Sequence, residues 1–170
     1  MARPVPERIR TAVGALELRP DARVLEVGCG TGVAAELLAH RLPDGHVTAL
    51  DRSPTAITHA ERRLARWIDA GVVDVVERDL LGFRGDGRPY DVVLAINVNA
   101  FWTGSSADVV ARAGDLLADD GALHLWFEAP PRADSLAAGH GAMTALAARG
   151  LDAELRVVGG LVHVAGRHNL

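Results

Sequence analysis

The sequence predicts an α/β fold, a three-layer sandwich in which a mainly parallel seven-stranded sheet carries helices on both faces and ends in a C-terminal antiparallel hairpin strand. Three observations predict it. Short apolar runs alternate with segments of helical periodicity along most of the chain. The first of these runs empties into three alternate glycines, Gly28, Gly30 and Gly32, and the last two flank Gly159-Gly160, a pair suited to a tight hairpin turn.

Taken in order, Ile9, Ala12, Val13 and Leu16 recur at helical spacing ahead of Pro20-Asp21 and predict a short leading helix. A strand follows at Arg23–Val27. Beyond the glycines, Val33, Ala34, Leu37, Leu38 and Leu42 form one apolar stripe, and Pro43-Asp44-Gly45 stops that helix. The second strand is His46–Leu50. Ser53 can cap free amides and Pro54 presets the first turn of the next helix, whose inward face is Ile57, Ala60, Leu64, Trp67 and Ile68. Arg62, Arg63 and Arg66 read as its solvated face. Strands are then expected at Val72–Glu77, Tyr90–Ile96 and Ala122–Glu128, with a loop at Arg84–Pro89 and helices near Ser106–Ala118 and Ser135–Arg149. The closing hairpin is Ala153–Val158 and Leu161–Ala165.

A chain of 170 residues has room for one domain with a substantial core, so a single domain over 1–170 is expected. All 18 basic residues are arginine, and against 22 acids they leave a net charge of −4, which disfavours a polyanion; nucleic acid is not the expected partner. One cysteine excludes an internal disulfide and fits a reducing, cytoplasmic setting. No apolar run approaches the ~20 residues of a membrane span, so no membrane association is expected. The histidines show no paired ligand spacing, and no metal is expected.

The chemistry concentrates around the glycines. They let the backbone turn sharply and approach a ligand, and Asp51 ends the next apolar run, 19 residues beyond Gly32, where a carboxylate can accept both hydroxyls of a ribose. A dinucleotide fingerprint, Gly-x-Gly-x-x-Gly, is not met, because Val33 stands where its third glycine belongs. Glu26 would also repel a pyrophosphate while welcoming an ammonium, directly or through water. S-adenosylmethionine has an ammonium, a sulfonium, a ribose and no phosphate.

The run Glu26-Val27-Gly28-Cys29-Gly30-Thr31-Gly32 closely resembles the first motif of class I S-adenosylmethionine-dependent methyltransferases. The resemblance implies that S-adenosyl-L-methionine is the cofactor, with S-adenosyl-L-homocysteine as product. It places Glu26, Gly28, Cys29, Gly30 and Gly32 beside the methionine part and Asp51 on the ribose. Arg52 either lies over the adenine face or extends into water. Asp79 resembles the residue that reads the adenine amine, with the Leu80 backbone amide meeting the ring. Asp91 opens its strand far from the ligand end and reads as structural.

After the fourth strand, Asn97-Val98-Asn99-Ala100-Phe101-Trp102 lies where the family keeps residues next to the transferable methyl group. Asn97 is assigned to the cofactor, and Asn99 and Trp102 to the acceptor. Their alternative is loop packing. The segment departs from the Asn-Pro-Pro-Tyr type of enzymes that methylate amide or base nitrogens, which argues against that chemistry. Glu128 and His140 are placed to serve as a base, and neither is assigned. The expected function is methyl transfer to O or N of a small organic acceptor; the alternatives are a non-catalytic partner subunit with the same fold, or a protein or RNA acceptor. The resemblance implies that extra segments before the first strand, or between the fifth and seventh, shape the acceptor pocket, and almost none is read in this chain. An open pocket is therefore expected, closed by the N-terminal helix, a homo-oligomeric or other partner subunit, or a bulky substrate.

Overall fold

The computed structural model describes residues 4–101, 106–128 and 135–168. Its elements run α1 (Glu7–Gly14), β1 (Arg23–Val27), α2 (Val33–Arg41), β2 (His46–Asp51), α3 (Pro54–Asp69), β3 (Val73–Glu77), β4 (Tyr90–Ile96), a 3₁₀ turn (Asn99–Phe101), α4 (Ser106–Gly114), β5 (Leu117–Phe127), α5 (Ser135–Ala147), β6 (Leu151–Val158) and β7 (Leu161–His168). The seven strands form one sheet in the order β3-β2-β1-β4-β5-β7-β6. β7 runs antiparallel to both of its neighbours, and the remaining pairs are parallel, as the terminal hairpin predicts.

Successive residues of a strand point to opposite faces, so the sheet carries two cores. On one side Val24, Val47, Val73, Leu94 and Trp126 pack with residues of α1, α2 and α3. On the other, Leu25, Leu50, Val93, Leu125 and Val164 pack with residues of α4 and α5, and Leu80 and Phe83 of the β3–β4 connection join them. Ser53 accepts from the Ala56 amide at 3.3 Å, with Pro54 in the first turn, as read for the start of α3. Trp67 fills the last inward place of that helix. Ile68, about 100° further round, is exposed instead of inward.

Two boundaries differ from the sequence reading for one reason. α4 stops at Gly114 and β5 begins at Leu117, although Asp119-Asp120-Gly121 reads as the break between a helix and a strand. Leu117 pairs with Tyr90 across a register shift, so the three residues form an irregularity inside β5. A Cβ on Gly121 would lie 2.9 Å from the carbonyl oxygens of both Ala118 and Tyr90, so glycine is required there by a backbone approach and not by a chain reversal. The hairpin strands also extend further, to Leu151 and His168.

Asp91 joins the lower end of the sheet to the chain before it: one carboxylate oxygen accepts from the Arg23 amide at 2.7 Å and the other from the Arg19 guanidinium at 2.8 Å. Toward the hairpin, His124 of β5 and His163 of β7 are buried, with Nδ1 of the first 2.9 Å from Nε2 of the second, and the Trp126 ring stacks on His163. A polar cavity of about 800 Å³ adjoins this pair, lined in part by Arg19, Asp152, Glu154, Arg156 and Arg167. No helix of the described residues is long and apolar enough to cross a membrane.

Candidate active site

Between β1 and β4 the order of the strands reverses its direction, and in an open α/β sheet the loops leaving the carboxyl ends at such a point diverge to form a crevice. The strand ends bordering it carry Asp79 beyond β3, Asp51 closing β2, the glycine bend after β1, Asn97 after β4 and Glu128 after β5. From β3 to β4 is three strand spacings, roughly 14 Å.

The three glycines of the bend divide the work. All three have positive φ, at +70°, +54° and +78° for Gly28, Gly30 and Gly32. A Cβ on Gly28 would stand 2.6 Å from Val98 Cγ2, and one on Gly32 would stand 2.9 Å from Leu64 Cδ1 and 3.3 Å from the Ala60 Cα. These two glycines admit neighbours. A Cβ on Gly30 would meet nothing within 4 Å, so the middle of the bend faces open space.

The amides of Gly28 and Cys29 both donate to Leu50 O, at 2.7 and 3.0 Å, which ties the bend to the tip of β2. Asp51 completes the tie. Its Oδ2 accepts from the Gly30 amide and its Oδ1 from the Ser53 amide, each at 2.9 Å. A carboxylate has about four acceptor positions, so each oxygen keeps capacity for a further donor. Arg63, read as part of a solvated face, instead donates through Nε to Thr31 O at 2.9 Å and pairs with Glu36. It braces the bend from α3, a role that periodicity cannot reveal because the contact spans 32 residues.

Glu26 is the one buried carboxyl among the described residues. It lies on the α2 side of β1 and is 4% exposed. Burial pushes its carboxyl up to about 8; the Ala35 amide of the first α2 turn donates to it and pulls it down, and the nearby Asp51 charge pushes it up. Its Oε2 has no hydrogen-bond partner. Among the described residues four buried side-chain atoms lack one, and the other three, on Arg23, Trp67 and Trp126, are N–H groups. Glu26 is therefore the one buried side-chain acceptor without a donor among the described residues, and a ligand ammonium would both satisfy it and favour its ionised form. The first bond of α2 runs from the Glu36 amide to Gly32 O, so the helix itself gives the Val33 and Ala34 amides no partner, and they remain for an anion. This donor and acceptor set suits a zwitterionic amino-acid tail. Cys29 points its thiol into the α1–α3 core, and burial together with the Glu26 and Asp51 charges keeps it protonated.

The other expected residues are distributed as follows. Asp79 is exposed and accepts from the Gly82 amide at 2.7 Å, and Leu80 beside it is buried. Arg52 is exposed at the tip of β2. Asn97 takes a left-handed φ of +56°, and its Oδ1 accepts from the Glu128 amide at 2.7 Å while its Nδ2 donates to the Glu128 carboxylate at 3.4 Å. Asn99 opens the 3₁₀ turn over a fully buried Phe101. Trp102 lies outside the described residues. Glu128 also pairs with Arg8 of α1 at 3.6 Å, which brings the N-terminal helix to the strand ends that carry Asn97 and Glu128; Arg8 carried no signal in the sequence. His140 is exposed and its Nδ1 meets the Leu136 carbonyl of its own helix.

Comparison with known proteins bears on the family and the fold. A family model described as a methyltransferase domain matches residues 25–123. The chain is 31% identical to malonyl-[acyl-carrier protein] O-methyltransferase of Acetivibrio thermocellus over 66% of its own length and 38% of that protein. It is 30% identical to trans-aconitate 2-methyltransferase of Streptomyces avermitilis over 69% of its length and 42% of that protein. The chain thus spans about two-fifths of each of these relatives. Its fold superposes on an O-methyltransferase family protein of Burkholderia thailandensis with a TM-score of 0.77 over 96% of this chain and 55% of the other, at 18% identity. With more than half of its residues matched by the family model and a seven-stranded sheet of the same kind, the chain belongs to the class I S-adenosylmethionine-dependent methyltransferase domain family.

Proposed function

We propose that this protein binds S-adenosylmethionine in the crevice and transfers its methyl group to an oxygen or nitrogen of a small organic acceptor. The observation that carries the reading is the buried, unpartnered Glu26 oxygen beside a bend whose central glycine faces open space. When bound, the cofactor supplies a methyl group on a positively charged sulfur, open to direct displacement.

The work left to the protein is to hold both reactants in line and keep water away. Glu26 takes the ammonium, the first amides of α2 the carboxylate, and the free acceptor positions of Asp51 the ribose hydroxyls. Asp79 and the Leu80 amide take the adenine, with Arg52 at its edge. On the acceptor side Asn97 fixes Glu128, and the Arg8–Glu128 pair brings α1 across the opening. Asn99 and Trp102 are assigned to the acceptor. Two relatives are named for malonyl and aconitate acceptors, which both bear carboxylates, and this favours an oxygen as the attacking atom.

The test is calorimetric titration with S-adenosylhomocysteine, followed by incubation with methyl-labelled cofactor and a panel of small carboxylic acids, phenols and amines. Binding that is weakened in Asp51→Ala, together with label transferred to one acceptor class, supports the proposal. Tight binding with no transfer to any acceptor would assign the chain to a non-catalytic partner role. Absence of binding would overturn the cofactor site itself.

A further inference from the structure

We propose that the outer edge of β6 is a self-association surface, on which a second copy of this chain pairs its own β6 antiparallel across a two-fold axis at Leu155. The inference stands on the hairpin alone and is independent of the chemistry proposed above.

The two edges of the sheet are built differently. β3 is five residues long and exposes Asp74 and Glu77, a short acidic edge of the kind that resists pairing. β6 is eight residues long, contains no proline, and has no strand on its outer side among the described residues. Val157 on this edge is 61% exposed, and Leu136, one turn before the glycine of α5 that packs on Leu155, is 45% exposed. Unpaired amides and carbonyls beside exposed aliphatic groups form a template for another strand.

Which register that strand takes follows from the hairpin. Gly159 and Gly160 both have positive φ, at +56° and +80°, the two-residue turn in which the flanking residues Val158 and Leu161 bond to one another. Bonding to β7 then alternates along β6 through Arg156, Glu154 and Asp152, and the amides and carbonyls of Ala153, Leu155 and Val157 point outward. An isologous pair can centre on residue 154, 155 or 156. Centring on Glu154 brings Asp152 opposite Arg156 but sets two carboxylates face to face at the axis, and centring on Arg156 sets two guanidinium groups face to face. Glu154 and Arg156 already pair at 2.7 Å within the strand, and centring on Leu155 places each of them opposite its counter-charge on the second strand, in the closely spaced non-bonded positions where cross-strand charges interact most strongly. On the other face it sets Leu155 against its copy and the exposed Val157 against Ala153. Of these three registers only the one centred on Leu155 matches hydrogen bonds, charges and aliphatic groups with no like charges opposed, which is the self-complementarity a two-fold interface demands.

Sedimentation velocity of the whole protein at micromolar concentration tests this. The expected species has twice the mass of the 17.9 kDa chain. Arg156→Glu and Glu154→Arg should each weaken the dimer roughly tenfold, since both copies of the pair become like charges. The combined reversal, Glu154→Arg with Arg156→Glu, should restore it. Both side chains are exposed, so circular dichroism and S-adenosylhomocysteine binding should be unchanged in all three variants. In amide hydrogen exchange, Ala153, Leu155 and Val157 should gain protection as concentration rises. A 17.9 kDa monomer, a dimer indifferent to the single reversals, or a double reversal that folds and stays monomeric would each overturn the proposal.

Discussion

Glu26 and the pair His124–His163 are buried to nearly the same degree, on neighbouring parts of one sheet, and their surroundings treat them in opposite ways. The histidines satisfy each other at 2.9 Å and stack beneath Trp126, with their ring protonation held down to about 3 and 4, by burial first and then by neighbouring positive charge. Glu26 keeps an oxygen without any donor. A buried polar pair that closes on itself is structure. A buried carboxylate left open is what the proposed ligand site requires, because an acceptor desolvated and unpaired costs stability that a ligand donor would return.

The difference carries opposite pH signatures, and these give the largest expected effect. Between the ordinary histidine value of 6.5 and the depressed folded values, the unfolded chain binds protons that the folded chain does not. Stability should therefore fall as pH drops below 6.5, by about 2 kcal/mol for each histidine at pH 5. Urea unfolding across pH should show this limb, and replacing the pair by His124→Leu with His163→Phe should flatten it. A limb that survives the replacement would remove the pair from the explanation.

The glycine bend offers the next test. Gly32→Ala must take a left-handed φ, push aside the Leu64 methyl end and press on the α3 backbone at Ala60, and should cost about 2 kcal/mol of unfolding free energy; Gly30→Ala pays only for its φ, about 1 kcal/mol. Equal losses would show that the two glycines do not have separate roles. Asp51→Ala should weaken S-adenosylhomocysteine binding by ~1.5–3 kcal/mol, the range for hydrogen bonds to a charged group. Unchanged affinity in calorimetry would take Asp51 out of the ribose site and leave it as a brace for the bend.

Glu26 supplies the counterpart to the histidine limb. Its carboxyl rises from 4.5 to about 8, so the folded chain holds a proton that the unfolded chain releases, and the ligand-free protein should lose stability as pH rises through that window. A ligand ammonium selects the ionised form. The dissociation constant for S-adenosylhomocysteine should then tighten by up to about tenfold per unit between pH 6 and pH 8 and level off above, with Glu26→Gln showing no slope. The smallest effect is expected at the rim. Arg8→Ala breaks an exposed ion pair and should change acceptor KM by an amount equivalent to no more than about 1 kcal/mol.

The glycine bend and the strand ends beside it were far more legible in the sequence than the segment after β4 and its partners. Glu26, the glycines and Asp51 are near one another along the chain, because strand, bend, helix and strand form one local unit, and local order is what spacing reports. Three features escaped it. Arg63 looked solvated and braces the bend; Asp119-Asp120-Gly121 looked like a chain break and is an irregularity in β5; Arg8 gave no signal and reaches Glu128, 120 positions away. Each depends on a contact between distant segments, and no periodicity encodes such a partner.

By itself, then, the sequence determined the alternation of strands and helices, the turn at Gly159-Gly160, and a carboxylate set beside a backbone bend suited to an ammonium. Those are properties of neighbouring residues and of φ. Only the tertiary structure decided that Glu26 is buried and unpartnered, that Gly28 and Gly32 serve packing while Gly30 opens outward, and that Asn97, Glu128 and Arg8 meet at the rim. Desolvation and shape belong to the assembled sheet, since water is excluded from a group only when elements far apart in the chain close around it.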